Sequence, residues 1–199
     1  MKSGSSVGCV ILAAGNGMRF GQNKLLAEFR GKPLIQWTME TVPRELIRHA
    51  VVVTQYQTVT ELAEGFGFRV MWNPAPELGI SHSVCLGTQA LKGECRGLMF
   101  LVSDQPMLRK ETVARLIEAF HRNPYRIIVP AAEGRQGNPC VFPAALFPDL
   151  EALEGDRGGK QIIRRHPELV TEIPVDPIEL LDVDTASDLK SLPLQKHSH

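Results

Sequence analysis

The sequence predicts an α/β protein whose mostly parallel sheet is covered by helices on both faces. Two observations support this fold class: short apolar runs that have the length of buried strands, and segments of helical periodicity that separate them. Strands that alternate with helices favour a parallel sheet, because each helix returns the chain to the end of the sheet at which the previous strand began. The predicted strands are Gly8–Ala13, Ala50–Thr54, Phe68–Trp72, Leu98–Ser103 and Arg126–Pro130.

Four segments between these strands predict helices. Pro33 stands at a typical first position of a helix. Thr58 and Glu61 have the spacing of a capping box at the start of the next helix. The other two predicted helices, Ser81–Leu91 and Glu111–His121, carry apolar residues at three- and four-residue spacing. Beyond residue 130, dense proline and glycine predict loops, short helices and an edge strand.

Charge and composition narrow the function classes. The 199 residues include 22 basic and 22 acidic side chains, so bulk charge does not predict a nucleic-acid partner. No apolar run approaches the roughly 20 residues of a membrane span, and the first six residues lack the apolar core of a signal peptide. We therefore expect a cytoplasmic protein with no membrane partner. The four cysteines are far apart, which predicts reduced, mostly buried thiols rather than a metal cluster.

The most informative segment is the glycine-rich loop after the first predicted strand. It reads LAAGNGMRFG over residues 12–21, and Lys24 follows. Such a loop offers backbone N–H groups to an anion, and Arg19 and Lys24 add the positive charge that a triphosphate requires. Phe20 stands where a dinucleotide-binding loop needs glycine, and Lys24 lacks the Ser or Thr that follows it in a P-loop. A plain turn with surface basic residues is the alternative.

Acidic residues follow two apolar runs. Burial of Asp104 without a partner would cost roughly several kcal/mol, so this residue is expected to pair or to bind a cation such as Mg²⁺. If the second run is a strand, Asp182 and Asp184 face the same side and one of them could complete the Mg²⁺ site. The alternatives are that Asp104 caps the next helix and that the other two acids simply precede the last helix, where Thr185 and Asp188 have capping-box spacing.

Three other regions carry polar groups that a ligand could use. Residues 155–160 form a second glycine-rich loop, which could hold an anion or only turn the chain. Asn138 could contact a substrate or make an Asx turn, and the same two interpretations apply to Asn73. Ser81 and Ser83 lie at a predicted helix start, a position that binds anions and polar groups.

Together these segments resemble the MobA-like nucleotidyltransferases, especially the molybdenum cofactor cytidylyltransferase branch. Six matching segments occur in the family's order between residues 12 and 185. They are LAAGNGMRFG with Lys24, LGISHSV (78–84), VSDQP (102–106), GNPCVFP (137–143), GDRGGK (155–160) and DVDT (182–185). The resemblance implies a Rossmann-like three-layer α/β fold of the nucleotide-diphospho-sugar transferase type.

The resemblance also implies roles for individual residues. The implied catalytic residues are Arg19, Lys24 and Asp104, and the implied metal ligands are Asp104 and Asp184. The implied nucleotide-binding residues are Leu12, Ala13, Ala14, Gly15, Gly17, Arg19, Lys24, Asn73, Ser81 and Ser83. The implied acceptor-binding residues are Asn138, Gly155 and Asp156. Ala14 matches the cytidylyl branch, whereas Asn138 departs from it, because cytidylyl members often have histidine there.

The implied reaction is Mg²⁺-dependent transfer of CMP from CTP to the phosphate of molybdopterin, with release of pyrophosphate. We expect one domain over residues 1–199, in which residues 7–130 bind the nucleotide and residues 131–190 form acceptor-side loops and edge elements. A molybdenum hydroxylase is a candidate recipient of the product. The alternatives are the same chemistry with GTP or with a sugar or polyol phosphate, and a non-catalytic chaperone that carries finished cofactor.

Overall fold

The computed structural model describes residues 6–15 and 23–193 of the chain. The strands are β1 (Val7–Ala13), β2 (Glu28–Phe29), β3 (Lys32–Pro33), β4 (Ala50–Thr54), β5 (Arg69–Trp72), β6 (Gly97–Val102), β7 (Ile127–Ala132), β8 (Arg135–Gln136), β9 (Cys140–Pro143) and β10 (Val170–Pro174). The helices are α1 (Leu34–Glu40), α2 (Gln57–Gly65), α3 (Ile80–Leu91), α4 (Lys110–Arg122), α5 (Phe147–Glu151), α6 (Lys160–Arg165) and α7 (Ala186–Ser191).

Within the described residues, eight strands form one sheet in the order β10-β7-β9-β6-β1-β4-β5, with β8 paired to β7. The central strand β1 is parallel to β4 and β6, and β4 is parallel to β5. β10 is parallel to β7, whereas β9 is antiparallel to both of its neighbours. The mostly parallel sheet is therefore confirmed, and all five predicted strands are present with ends shifted by two residues or fewer.

The part of the chain beyond residue 130 contributes more to the sheet than its composition predicts. It supplies the expected edge strand, β10, but also β9, which lies inside the sheet between β6 and β7. All four residues of β9 are buried, because an interior strand has helices over both faces. The expectation of only edge elements in this part is therefore wrong for Cys140–Pro143.

Helices cover both faces of the sheet, as the sequence predicts. On β1, Cys9 and Ile11 belong to the apolar cluster that includes α1, α2 and α4. Val10, between them, belongs to the cluster on the opposite face with α3, α5 and α6. Successive side chains of a strand point to opposite faces, so one apolar run supplies both cores. Each helix of the described segments falls short of the length and apolar character needed to cross a membrane.

The two predicted capping boxes have different outcomes. Thr185 and Asp188 form one at the start of α7, as expected. The predicted box at Thr58 is wrong, because α2 begins at Gln57 and places Thr58 inside the first turn. Glu61 instead accepts a hydrogen bond from the Gln57 side chain at 3.1 Å.

The prediction of mostly buried thiols is confirmed. Cys9, Cys95 and Cys140 are buried, Cys85 is partly exposed, and all four are free thiols. Burial raises the pKa of Cys140 to about 12, so this thiol stays protonated at neutral pH.

Candidate active site

The candidate site lies where the carboxyl ends of β1, β4 and β6 come together. Parallel pairing sets Ala13 beside Thr54 and Leu12 beside Val102, so the segments that follow these three strands meet at one edge. Open α/β sheets bind their ligands at such an edge. Asp104 and residues 14–15, the described start of the first glycine loop, both lie there, as the sequence predicts.

Side chains from β4 and β6 fix the backbone of the first loop. Four consecutive carbonyl groups of the loop each accept a hydrogen bond from a neighbouring side chain. The bonds are Ser103 Oγ to Leu12 O (2.6 Å), Thr54 Oγ1 to Ala13 O (3.0 Å), Gln55 Nε2 to Ala14 O (2.7 Å) and Tyr56 OH to Gly15 O (3.0 Å). These four bonds fix the backbone of residues 12–15, the described part of the loop, before an anion arrives.

Three of these anchoring residues were not predicted from the sequence. Thr54 ends β4, Gln55 and Tyr56 follow it, and all three lie about 40 positions from the loop residues that they hold. The signal that could have found them is a run of polar side chains at the carboxyl end of a strand predicted to neighbour the first one.

Lys24 brings the two implied metal ligands together. It begins a 3-10 turn, Lys24–Leu26, that is capped by Asn23. Its Nζ lies 2.9 Å from Asp104 Oδ2 and 3.3 Å from Asp184 Oδ1. The side chains of Lys24 and Asp104 are only 14% and 25% exposed, so this ion pair is partly shielded from water. Burial alone would lower the pKa of Lys24, but the hydrogen bonds and charges of the two aspartates outweigh it and raise the pKa, so the ammonium stays charged.

Asp104 pairs with a cation, and the capping alternative is wrong. The residue that caps α4 is Arg109, five positions beyond Asp104. The Asp104 carbonyl accepts a hydrogen bond from Val183 N at 2.9 Å, which holds the 181–184 segment beside the carboxyl end of β6. A backbone contact thus brings Asp184 to Lys24 from the far end of the chain.

The strand interpretation of residues 181–184 is also wrong. The segment has no regular secondary structure, and the two acids have different partners. Asp184 pairs with Lys24, whereas Asp182 accepts a hydrogen bond from Gln105 Nε2 at 2.8 Å. Both acids precede α7, as the second alternative proposed, and the Asp184 N–H donates to Asp188 Oδ2 at 3.0 Å.

The donor chemistry of this cluster fits a divalent cation that a phosphate ligand helps to hold. Asp104 and Asp184 already converge on one ammonium group, so both carboxylates can reach one cation. In the described parts of the chain, no group of three His, Cys, Asp or Glu side chains could hold a metal ion unaided. Mg²⁺ typically takes one or two carboxylates and completes its shell with substrate oxygens and water.

Two cavities open at this edge of the sheet. The first, the loop cavity, has a volume of about 510 Å³ and is bordered by Ala14, Gly15, Lys24 and Asp104. The second, the aromatic cavity, has a volume of about 530 Å³. Its lining includes Phe100 and Phe142, whose ring centroids are 6.0 Å apart. Leu12, Ile80 and Val102 line both cavities, so the two are neighbours across a shared apolar wall.

Five of the ten implied nucleotide-binding residues border the loop cavity. Leu12, Ala14, Gly15, Lys24 and Ser83 line it directly. Ala13 is buried in β1 beside them. Gly17 and Arg19 lie outside the described residues.

Two other implied nucleotide-binding residues lie behind the cavity wall. Asn73 is buried and donates to Ser83 Oγ at 3.0 Å, so it orients a lining residue. The Ser81 hydroxyl donates to Leu78 O at 3.4 Å, and its backbone N–H donates to Gly155 O at 3.2 Å. Both residues therefore support the start of α3.

Two of the three implied acceptor residues line different cavities, and Gly155 lines neither. Asn138 lines the aromatic cavity, whereas Asp156 lines the loop cavity. Gly79, just before α3, explains the position of Asp156. Its φ of +85° favours glycine, and a Cβ there would lie 2.5 Å from the Gly155 carbonyl. The glycine therefore lets the 155–160 loop pack directly against the start of α3.

A family model places the chain among known proteins. The MobA-like NTP transferase domain matches residues 9–170. The chain is 26% identical over 165 residues to the purine catabolism protein PucB of Bacillus subtilis, covering 78% of this chain and 79% of PucB. It is 30% identical over 153 residues to a probable molybdenum cofactor guanylyltransferase of Pyrococcus horikoshii, covering 74% and 72% of the two chains.

Other similar proteins are longer. The chain is 34% identical over 145 residues to the bifunctional protein GlmU of Pelobacter propionicus, covering 71% of this chain but only 31% of GlmU. The chain therefore spans about a third of that relative's length.

Solved structures have the same fold. A homologue of Rv0371c from Mycobacterium sp. strain JC1 superposes with a TM-score of 0.80 at 26% identity, over 94% of this chain and 95% of that one. Rv0371c of Mycobacterium tuberculosis in complex with manganese superposes with a TM-score of 0.77 at 23% identity, over 94% and 97% of the two chains. The chain belongs to the MobA-like NTP transferase domain family, and the domain that it contains is a nucleotidyltransferase domain.

Proposed function

We propose that the chain transfers CMP from CTP to the phosphate of a molybdopterin-type acceptor and releases pyrophosphate. The observation that carries the proposal is the position of Lys24, between Asp104 and Asp184 and beside the anchored first loop. Fixed N–H groups, an ammonium and two carboxylates that can share a divalent cation are the groups that a nucleoside triphosphate needs.

In the proposed reaction an acceptor phosphate oxygen attacks the α-phosphorus of CTP, and the bond to the β-phosphate oxygen breaks. The nucleophile is already an anion, so no general base is required. The loop backbone at 13–15 positions the triphosphate, and Lys24 and Arg19 stabilise the charge that grows on the pyrophosphate. Asp104 and Asp184 would hold the divalent cation, which neutralises phosphate charge when bound. The manganese complex of the neighbouring fold supports a divalent ion in general, and Mg²⁺ is our proposal.

The aromatic cavity supports a flat, ring-shaped acceptor. Its volume of about 530 Å³ lies within the usual range for small-molecule sites, and Phe100 and Phe142 give it aromatic surface beside charged groups such as Arg135 and Lys160. Asn138 adds a polar group to the same lining. Because the two cavities share a wall, a pterin in one places its phosphate beside the triphosphate in the other.

Transfer of GMP from GTP to the same acceptor is the second candidate. The relative from Pyrococcus horikoshii is named as a guanylyltransferase, which favours GTP. Ala14 favours CTP, because it stands where guanylyl members usually have glycine. A molybdenum hydroxylase that receives the product, a single domain over residues 1–199 and a cytoplasmic location remain our proposals.

One assay tests the proposal and separates its rivals. The purified chain is mixed with Mg²⁺, molybdopterin and one of CTP, GTP, UTP or ATP, and pyrophosphate release is followed. We expect release with CTP that depends on both the acceptor and the metal. Faster release with GTP would change the assigned nucleotide from CTP to GTP. Release only when a sugar or polyol phosphate is supplied in place of molybdopterin would change the assigned acceptor. Binding of molybdopterin without turnover of any nucleotide would favour the carrier.

A further inference from the structure

Gln105 is a buried glutamine with one unused hydrogen-bonding atom. The residue is only 3% exposed, and its Nε2 donates to Asp182 Oδ1 at 2.8 Å. Its Oε1 is buried and has no hydrogen-bond partner among the described residues. Buried carbonyl groups in folded proteins are nearly always paired, so an unpaired one calls for an explanation.

The neighbouring carboxylate fixes which atom is left unpaired. An ionised carboxylate only accepts hydrogen bonds, so the NH₂ group of Gln105 must face Asp182. The carbonyl oxygen then points away from Asp182 and cannot exchange places with the nitrogen without losing this bond. Asp182 thus acts on the amide as an orienting partner.

Gln105 lies in the wall of the second cavity of the site. Both Gln105 and Asp182 line the aromatic cavity, together with Phe100 and Phe142. Gln105 also follows Asp104 directly in the sequence, so it lies next to a carboxylate assigned to the divalent cation. An acceptor molecule in this cavity would meet the Gln105 amide, the aromatic rings and further polar side chains, among them Arg135 and Lys160.

We propose that Gln105 Oε1 accepts a hydrogen bond from an N–H group on a flat heterocycle of the acceptor substrate, and that Asp182 is the positioning residue that aims this oxygen. The inference rests on the proposed function and deepens it by naming the group that reads the acceptor. A flat ring fits this cavity because Phe100 and Phe142 offer it aromatic surface, and a ring N–H is the kind of donor that the Gln105 carbonyl oxygen requires. An acceptor without this N–H would leave the buried carbonyl unsatisfied, so the site should discriminate strongly against such a molecule.

The test compares three single variants in the full chain. Gln105→Leu removes the amide at similar size. Asp182→Asn allows the Gln105 amide to flip, because the asparagine amide can either donate a hydrogen bond to it or accept one from it. Gln57→Leu is the matched control, since Gln57 also donates to a carboxylate but is exposed at the start of α2. The probes are molybdopterin in turnover assays, and 6-hydroxymethylpterin and its N3-methyl derivative in fluorescence binding assays.

We expect Gln105→Leu to raise the KM for molybdopterin by about tenfold or more while the KM and the Mg²⁺-dependent binding of CTP stay unchanged. Wild type should bind 6-hydroxymethylpterin more tightly than its N3-methyl derivative. Asp182→Asn should reduce that preference, an effect that a merely structural role would not produce. Gln57→Leu should behave as wild type. Intact CTP binding in each variant confirms that it has folded.

Each outcome decides the point. Turnover with molybdopterin and an unchanged acceptor KM in Gln105→Leu would overturn this inference and leave the proposed function intact. Binding of pterins that depends on Gln105, without any turnover, would overturn the proposed function and leave the recognition by Gln105 standing. Failure of the wild type to bind either pterin or molybdopterin would overturn both.

Discussion

The ammonium group of Lys24 lies 2.9 Å from the Asp104 carboxylate, although 80 positions separate the two residues. Asp184 contacts the same ammonium from the other end of the chain. In this arrangement the positive charge assigned to the triphosphate neutralises the two acids assigned to the cation. Our account therefore requires Lys24 to exchange carboxylate partners for phosphate oxygens when a nucleotide and a metal bind.

Removal of the Lys24 charge should abolish turnover without unfolding the protein. We expect Lys24→Met, and likewise Arg19→Ala, to lower pyrophosphate release by orders of magnitude, because the leaving group loses a stabilising cation. Thermal unfolding should still be cooperative. Lys32→Met is the control, because Lys32 forms an exposed ion pair with Glu40 on α1. Near-normal turnover in both test variants would contradict the catalytic assignment.

The same lysine should weaken metal binding while no nucleotide is present. Lys24 holds a positive charge between Asp104 and Asp184, so it repels a second cation from that position. We expect Lys24→Met to bind Mn²⁺ alone several-fold more tightly than wild type, as measured by electron paramagnetic resonance. Asp104→Asn should bind it more weakly and should lose Mg²⁺-dependent CTP binding in calorimetric titrations. Equal Mn²⁺ affinity in all three proteins would place the cation elsewhere.

The hydrogen bond from Ser103 to the Leu12 carbonyl should matter for nucleotide binding as well as for stability. We expect Ser103→Ala to cost about 1 kcal/mol of unfolding free energy, a typical value for one hydrogen bond, and to raise the KM for CTP several-fold. Thr41→Val removes another buried side-chain bond, from Thr41 Oγ1 to Thr38 O on α1, that does not involve the loop backbone. That control should lose stability but keep the KM of wild type. If both variants change the KM equally, the anchoring of the loop has no specific role.

The contribution of the α7 cap to the free energy of unfolding should change with pH only in acid. Hydrogen bonds from Thr185, and also from the Asp184 N–H, hold the pKa of Asp188 below its usual value. A carboxyl whose pKa is lowered by folding stabilises the protein above its unfolded pKa of about 4, and the effect is lost as the pH falls through the folded value. The difference in unfolding free energy between wild type and Asp188→Asn should therefore be constant from about pH 5 to about pH 8 and shrink below about pH 4. A difference that grows in acid would contradict this role.

The sequence predicted the parts of the fold that local patterns encode. The apolar runs located the parallel strands, and the glycine loop located the edge of the sheet where the site lies. Cys140–Pro143 was not recognised as an interior strand, because a short apolar run among prolines gives no sign of its neighbours. The box at Thr58 failed for a similar reason, since local spacing cannot say whether a helix starts two residues earlier.

Within the site, the sequence predicted side-chain chemistry better than contacts. The resemblance named Lys24, Asp104 and Asp184, which the structure brings together. It gave no sign of the anchoring bonds to the loop or of the bond between Gln105 and Asp182, whose partners are 77 positions apart. Such contacts depend on the three-dimensional arrangement of strand ends, which no local spacing records.

The most direct test of the central claim is a crystal structure of the chain with Mn²⁺ and a CTP analogue that cannot be cleaved between its α- and β-phosphates. Our account predicts the triphosphate in the loop cavity against residues 12–15, with the Mn²⁺ anomalous peak between Asp104 and Asp184 and the Lys24 ammonium on a phosphate oxygen. A structure in which the triphosphate lies outside the loop cavity and the Mn²⁺ is bound by other residues would contradict it.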